Sequence, residues 1–109
     1  MTINRKAARA QGFRFSFERD EREVAHAYLY LLGTDVQAAP FGLMDDVLVD
    51  PSLRGMGVGT ELVDAIIETA RAERCYKLIA MSRDSRPEID ELYRRRGFVE
   101  RGKEFRIDF

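Results

Sequence analysis

Asp50-Pro51-Ser52-Leu53-Arg54-Gly55-Met56-Gly57-Val58-Gly59-Thr60 is the stretch on which the reading of this chain turns. Before it, Phe41 to Asp50 carries the continuous apolar run Val47-Leu48-Val49, the pattern of a strand buried on both faces, and Pro51 stops it. After it, Thr60 to Arg74 places Leu62, Val63, Ile66, Ile67 and Ala70 at close to helical spacing, which predicts an amphipathic helix with one buried stripe. The stretch therefore joins a strand to a helix N-terminus, where backbone N–H groups lack intrahelical partners. Three glycines on alternate positions let the backbone turn tightly and approach a ligand. Such a turn forms a nest of donors, and the helix dipole adds about half a positive charge. Phosphate is the natural guest. A Walker loop would need a lysine after the last glycine, and Thr60 follows Gly59 directly. A dinucleotide fingerprint needs G-x-G-x-x-G, whereas Gly55, Gly57 and Gly59 run G-x-G-x-G. The remaining choices are a different phosphate loop or a purely structural turn.

Outward from this centre the pattern stays regular. Phe13, Phe15 and Phe17 alternate with Arg14, Ser16 and Glu18, which predicts a half-buried strand. The charged run Arg19 to Glu23 reads as a turn, and Val24 to Leu32 as the second strand of a hairpin. Lys77 to Ser82 reads as a short buried strand. Ser85 and Glu88 have capping-box spacing, with Pro87 in the first turn of a helix that carries Ile89, Leu92 and Tyr93 on one face. Gly97 suits the left-handed position after that helix. Phe98 to Phe109 reads as a closing hairpin, with Gly102 in the turn and Phe105, Ile107 and Phe109 alternating. The expected class is α/β, a mixed sheet with element order β-β-β-α-β-α-β-β. Residues 1–12 are expected to be a tail or short helix, and 13–109 a single domain.

Composition sets the outer limits. The chain has 109 residues, 45% hydrophobic and 34% charged, a globular composition with room for one domain. Its net charge of −1 gives no electrostatic case for a general nucleic-acid partner. No apolar run approaches the ~20 residues of a membrane span, so no membrane partner is expected. Cys75 is the only cysteine, which excludes an intrachain disulfide and a cysteine-based metal site. The start, Met1 to Gln11, is basic without an apolar core, so a secretory signal is not expected and a cytoplasmic location is.

The pattern R-x-x-G-x-G, met by Arg54, Gly57 and Gly59, resembles the pyrophosphate signature of the GNAT N-acetyltransferases. Asp45-Asp46-Val47-Leu48-Val49-Asp50 is similar to that family's central strand, and Leu92-Tyr93-Arg94-Arg95-Arg96-Gly97-Phe98 to its x-Y-x-x-x-G-F helix end. More narrowly, Cys75-Tyr76-Lys77 and Phe105 to Phe109 resemble glucosamine-6-phosphate N-acetyltransferases, while Met81 to Glu91 does not fit that group. The resemblance implies acetyl-CoA as cosubstrate and no metal. Arg54, Gly55, Met56, Gly57, Val58, Gly59 and Thr60 would hold the pyrophosphate, and Val47, Leu48 and Val49 would run along the pantetheine arm. The main chain at Val47 and Leu48 would lie near the thioester carbonyl, a role mutational data elsewhere value at ~3–4 kcal/mol.

The same resemblance assigns the catalytic candidates. An alkyl amine has a pKa of about 10.4 and arrives charged, so a base is needed. Asp45, at the position of the family's usual Glu, is the first candidate and Asp46 the second; strand alternation should point only one into the site. Both can equally be ordinary acidic strand residues. Tyr93 stands where the family places the acid that protonates the departing thiolate; the alternative is a core tyrosine beside Ile89 and Leu92. His26, the lone histidine, has no partner visible in the sequence, and Cys75 reads as packing.

Family members begin with a strand and two helices for which Met1 to Phe13 leaves no room. A minimal form, a truncated frame, or a pocket completed by a second subunit would each explain this, and a homodimer is the expectation. The implied function is acetyl transfer from acetyl-CoA to a primary amine of a small molecule. A peptide or protein acetyltransferase and a non-catalytic CoA-binding or subunit-interaction module are the alternatives.

Overall fold

The first hairpin follows from alternation and a tight turn. β1 (Ala10–Arg19) and β2 (Arg22–Leu32) pair antiparallel, and Asp20 and Glu21 between them take φ of 53° and 62°. Two left-handed residues in a two-residue loop match the twist of the strands they join. β1 begins at Ala10, three residues before Phe13, because Ala10, Gln11 and Gly12 continue the ladder against Leu32, Leu31 and Tyr30. Residues 10–12 are thus strand, where a tail or short helix was expected.

A computed structural model describes residues 1–82 and 87–109, which fall into two units, Met1–Ile79 and Ala80–Phe109. In the first, β3 (Phe41–Val49) pairs antiparallel with β2, and β4 (Leu78–Ala80) completes a sheet of order β1-β2-β3-β4. Tyr76 N–H donates to the Pro40 carbonyl at 3.0 Å, and Gly42 N–H to that of Lys77 at 2.9 Å. Both chains advance in the same direction between these bonds, so the β3–β4 pair is parallel and the sheet is mixed.

α1 (Val58–Ala72) connects those two strands and buries Val58, Leu62, Val63, Ile66 and Ala70, the predicted stripe with Ile67 only half buried. On the sheet, Ala25, Ala27, Leu29, Leu31 and Met44 are buried, and Phe15, Phe17 and Val49 pack on the cluster of Val24, Ala25, Leu53, Val58 and Leu62. Burying each of the fully buried valine, leucine, isoleucine and methionine side chains contributes about 1.5–3 kcal/mol. The register puts Arg14, Ser16, His26, Tyr28 and Tyr30 on the opposite face. Of the run Val47-Leu48-Val49, Leu48 is 44% exposed and its neighbours half buried, so that part of the strand is not buried on both faces.

In the second unit, α2 (Pro87–Arg95) starts at the expected proline and buries Leu92 and Tyr93. Gly97 takes φ 95°, its N–H donates to Arg94, and Phe98 N–H donates to Tyr93. This is a Schellman end with its usual apolar contact: the Tyr93 and Phe98 rings lie 5.3 Å apart. Ser85, of the expected capping box, lies outside the described residues. The closing hairpin over Phe98 to Phe109 is absent: no strand forms there, and Phe105, Ile107 and Phe109 are exposed. Alternation supplies a face to bury, but a strand also needs a ladder partner.

Candidate functional site

The glycine loop is held at both ends and open between them. Leu53 and Val58 are buried in one cluster, while Arg54, Gly55, Met56 and Gly57 are exposed. Pro51–Leu53 is a single 3₁₀ turn capped by Asp50, whose carboxylate accepts from Ser52 N–H at 3.0 Å and Ser52 Oγ at 2.8 Å. These bonds, with Arg22 and Arg54 nearby, hold the Asp50 carboxyl below the usual carboxylate range. Arg22 also pairs with Asp50 at 3.2 Å, so the β1–β2 turn is tied to the loop. Arg19, Arg22, Ser52 and Leu53 line an open hollow there, a placement that a turn-like run of charges did not announce.

Gly55 and Gly57 take φ of 81° and 83°, and a Cβ on either would meet nothing within 4 Å. Glycine is needed here for the backbone angle, and the space around it is free for a ligand. Gly57 is the N-cap of α1 and no side chain caps the helix. The first helical bond runs from Glu61 N–H to Gly57, while the N–H groups of Arg54 and Met56 are spent on the Pro51 and Leu53 carbonyls. The N–H groups of Gly55, Gly57, Val58, Gly59 and Thr60 donate to no acceptor among the described residues. Five unspent donors along the loop and the first turn of the helix suit a pyrophosphate. The Arg54 and Met56 amides, expected among them, are already committed, and Arg54 is left to act through its exposed guanidinium.

β3 is irregular where the acidic pair lies. His26 is opposite Leu48 and Tyr28 opposite Asp45, so two residues of β3, Asp46 and Val47, face the single Ala27. This is a β-bulge, and Asp46 adopts φ 51° in it. The bulge removes the simple alternation expected of Asp45 and Asp46. Asp45 is in register with Tyr28, and Asp46 reaches His26 on the same face, Oδ2 to Nε2 at 3.0 Å. Both aspartates are exposed. A bulge also takes the extra residue out of the ladder, and β4, three residues long, covers only part of the nine in β3.

The histidine does have partners. Besides Asp46, His26 Nδ1 lies 3.6 Å from Glu23, which receives Arg14 through both guanidinium nitrogens, and Arg14 Nε donates to the Tyr28 hydroxyl at 3.1 Å. The Arg14 bond holds Glu23 below the carboxylate range. Cross-strand register, which the sequence does not display, brings these residues together. Tyr93 lies in the other unit, buried on α2 against Phe98. Cys75 is half buried, and desolvation, then the Glu73 charge, pushes its thiol up, as suits packing rather than attack.

A probable glucosamine 6-phosphate N-acetyltransferase 2 of Oryza sativa subsp. japonica is 40% identical over 68 residues, 62% of this chain and 39% of that protein. A glucosamine 6-phosphate N-acetyltransferase of Trypanosoma brucei brucei is 37% identical over 67 residues, 62% of this chain and 44% of its own length. This chain thus spans well under half of these curated relatives. Among solved structures, a putative acetyltransferase from Agrobacterium tumefaciens str. C58 superposes with a TM-score of 0.82 at 27% identity, over 90% of this chain and 69% of the other. A glucosamine-6-phosphate N-acetyltransferase from Arabidopsis thaliana superposes with 0.81 at 18% identity, over 90% and 67%, which speaks to the fold alone. The model of the acetyltransferase (GNAT) family matches residues 2–98, and over that span, nearly the whole sequence, the chain belongs to this family.

Proposed function

We propose that the protein is an N-acetyltransferase that moves acetyl from acetyl-CoA to a primary amine of a small molecule. An amino-sugar phosphate is the first acceptor to try, because the curated relatives are named for glucosamine 6-phosphate. The observation that carries the reading is the set of five unspent N–H groups at the start of α1. When bound, acetyl-CoA supplies an activated acetyl group. Gly55, Gly57, Val58, Gly59 and Thr60 hold its pyrophosphate, Arg54 adds charge, and the edge of β3 at Val47, Leu48 and Val49 receives the arm. Asp46 or Asp45 takes a proton from the amine nitrogen, and the Tyr93 hydroxyl gives one to the departing sulfur. The N–C bond forms as the C–S bond breaks, the second proton of the nitrogen replaces the one Tyr93 gave to the sulfur, and no acyl-cysteine forms.

The reading also carries a homodimer, supported by the exposed alternating Phe105, Ile107 and Phe109, and a cytoplasmic site, in keeping with one half-buried cysteine. The test is release of free CoA thiol from acetyl-CoA with a panel of amines that includes glucosamine 6-phosphate. Amine-dependent release supports the function. Binding of acetyl-CoA with no release for any amine overturns it in favour of a binding module.

A further inference from the structure

The face of the sheet opposite α1 carries a chain of alternating charge that acetyl-CoA binding does not require. Starting from β1, Arg14 clamps Glu23 at the start of β2; Glu23 lies 3.6 Å from His26 Nδ1, and His26 Nε2 lies 3.0 Å from Asp46 on the β3 bulge. The charged and titratable groups that face His26 are therefore Glu23 and Tyr28 from β2, Arg14 from β1, and Asp46 and Asp45 from β3. The His26 side chain is 17% exposed and that of Asp46 57%, so the aspartate meets solvent and the imidazole lies behind it.

We propose that His26 is a positioning residue that works through Asp46 and stores the proton taken from the acceptor amine. This rests on the acetyltransfer reading given above. The chemistry favours the pair over a carboxylate alone. A carboxylate with a pKa near ~4 is a weak base toward an ammonium, whereas an imidazole near ~6.5 is matched to neutral pH. R–NH₃⁺ gives one proton to the Asp46 carboxylate, and Asp46 passes that same proton from Oδ2 to the free Nε2 of a His26 whose own ring proton sits on Nδ1, toward Glu23. Asp46 is left as a carboxylate and His26 as an imidazolium between two anions. Glu23, held ionised by Arg14, stabilises that cation without taking its proton, and the proton leaves to solvent after transfer. The bulge makes this possible, since an Asp46 in regular extended backbone would turn away from His26.

Because His26 is the only histidine, its ring resonances in an NMR titration need no assignment. The experiment has two arms. In the first, the imidazole of the wild type is titrated, then that of Asp46→Asn; the midpoint should fall when the aspartate charge is lost, and an unmoved midpoint overturns the coupling. In the second, kcat at saturating acetyl-CoA and glucosamine 6-phosphate is followed against pH for wild type and His26→Gln. The wild type should lose activity on the acid side with the midpoint seen by NMR in the presence of both ligands' dead-end analogues, CoA and the same amino sugar phosphate. His26→Gln should lower kcat at neutral pH by about tenfold, remove that limb and leave the KM for acetyl-CoA unchanged. An identical pH profile in the two proteins overturns the relay while the acetyltransferase reading stands. A wild type that acetylates no amine in the panel removes the reading beneath it, and the relay falls with it.

Discussion

Replacing Gly57 with alanine probes the geometry that opens the donor site. Gly57 caps α1 at φ 83°, and an added Cβ meets nothing within 4 Å, so crowding contributes nothing to the outcome. The cost is the left-handed backbone, about 1–2 kcal/mol for an L side chain. Alanine also restricts the unfolded chain, which offsets about 0.4–1 kcal/mol. The net loss is about 1 kcal/mol, a fall in Tm of roughly 4–6 °C for a chain of this size. Gly57→Asn should recover much of it, because asparagine tolerates this region. Gly102→Ala is the control, since Gly102 has open space around it and no positive φ. Thermal denaturation followed by far-UV circular dichroism reads all three. If Gly57→Ala melts with the wild type while Gly102→Ala does too, the left-handed cap does not exist in solution and the free-amide argument loses its frame.

Other perturbations follow from burial and charge. Ile66 is fully buried on α1, so Ile66→Ala should cost about 2–5 kcal/mol, while the same change at half-buried Ile67 costs clearly less; urea unfolding compares them. Cys75, with its thiol pushed up by burial, should react with DTNB more slowly than free cysteine at neutral pH and speed up through the alkaline range, and rapid labelling at pH 7 contradicts this. Glu23 and Asp50 are held below the carboxylate range in the folded state, so the unfolded chain binds more protons in that window. Their contribution is present above about pH 4 and is lost as pH falls through the depressed folded values. The urea midpoint should drop on acidification, and Glu23→Gln with Asp50→Asn together should flatten the curve. Both groups are exposed, so added salt should weaken the effect.

What the sequence displayed and what it concealed divide along local and long-range order. The glycine loop, the helix after it and the Gly97 end of α2 are local features, carried by residues a few positions apart, and each is found where the spacing put it. The start of β1 was missed because Ala10 to Gly12 are strand only by virtue of the ladder with Tyr30 to Leu32. The bulge at Asp46 is invisible in a run that reads Asp-Asp-Val-Leu-Val, since it is a mismatch between two strands. His26 looked isolated for the same reason: its partners are 3 and 20 residues away, and only the register joins them. The closing segment erred in the other direction. Phe105, Ile107 and Phe109 have a strand's alternation without a neighbouring strand to pair with among the described residues.

On the proposed function, the amides of the loop and of the first turn of α1 hold a pyrophosphate. Titration calorimetry of the protein with CoA, 4′-phosphopantetheine and pantetheine tests it, because the three share one arm, which ends in a pyrophosphate bearing 3′-phosphoadenosine, in a single phosphate, and in no phosphate. Hydrogen bonds to a charged group contribute about 1.5–3 kcal/mol each, so loss of even one is at least about a tenfold change in affinity. CoA should bind most tightly, phosphopantetheine more weakly, and pantetheine at least about tenfold more weakly than CoA. Equal affinity for CoA and pantetheine would contradict it.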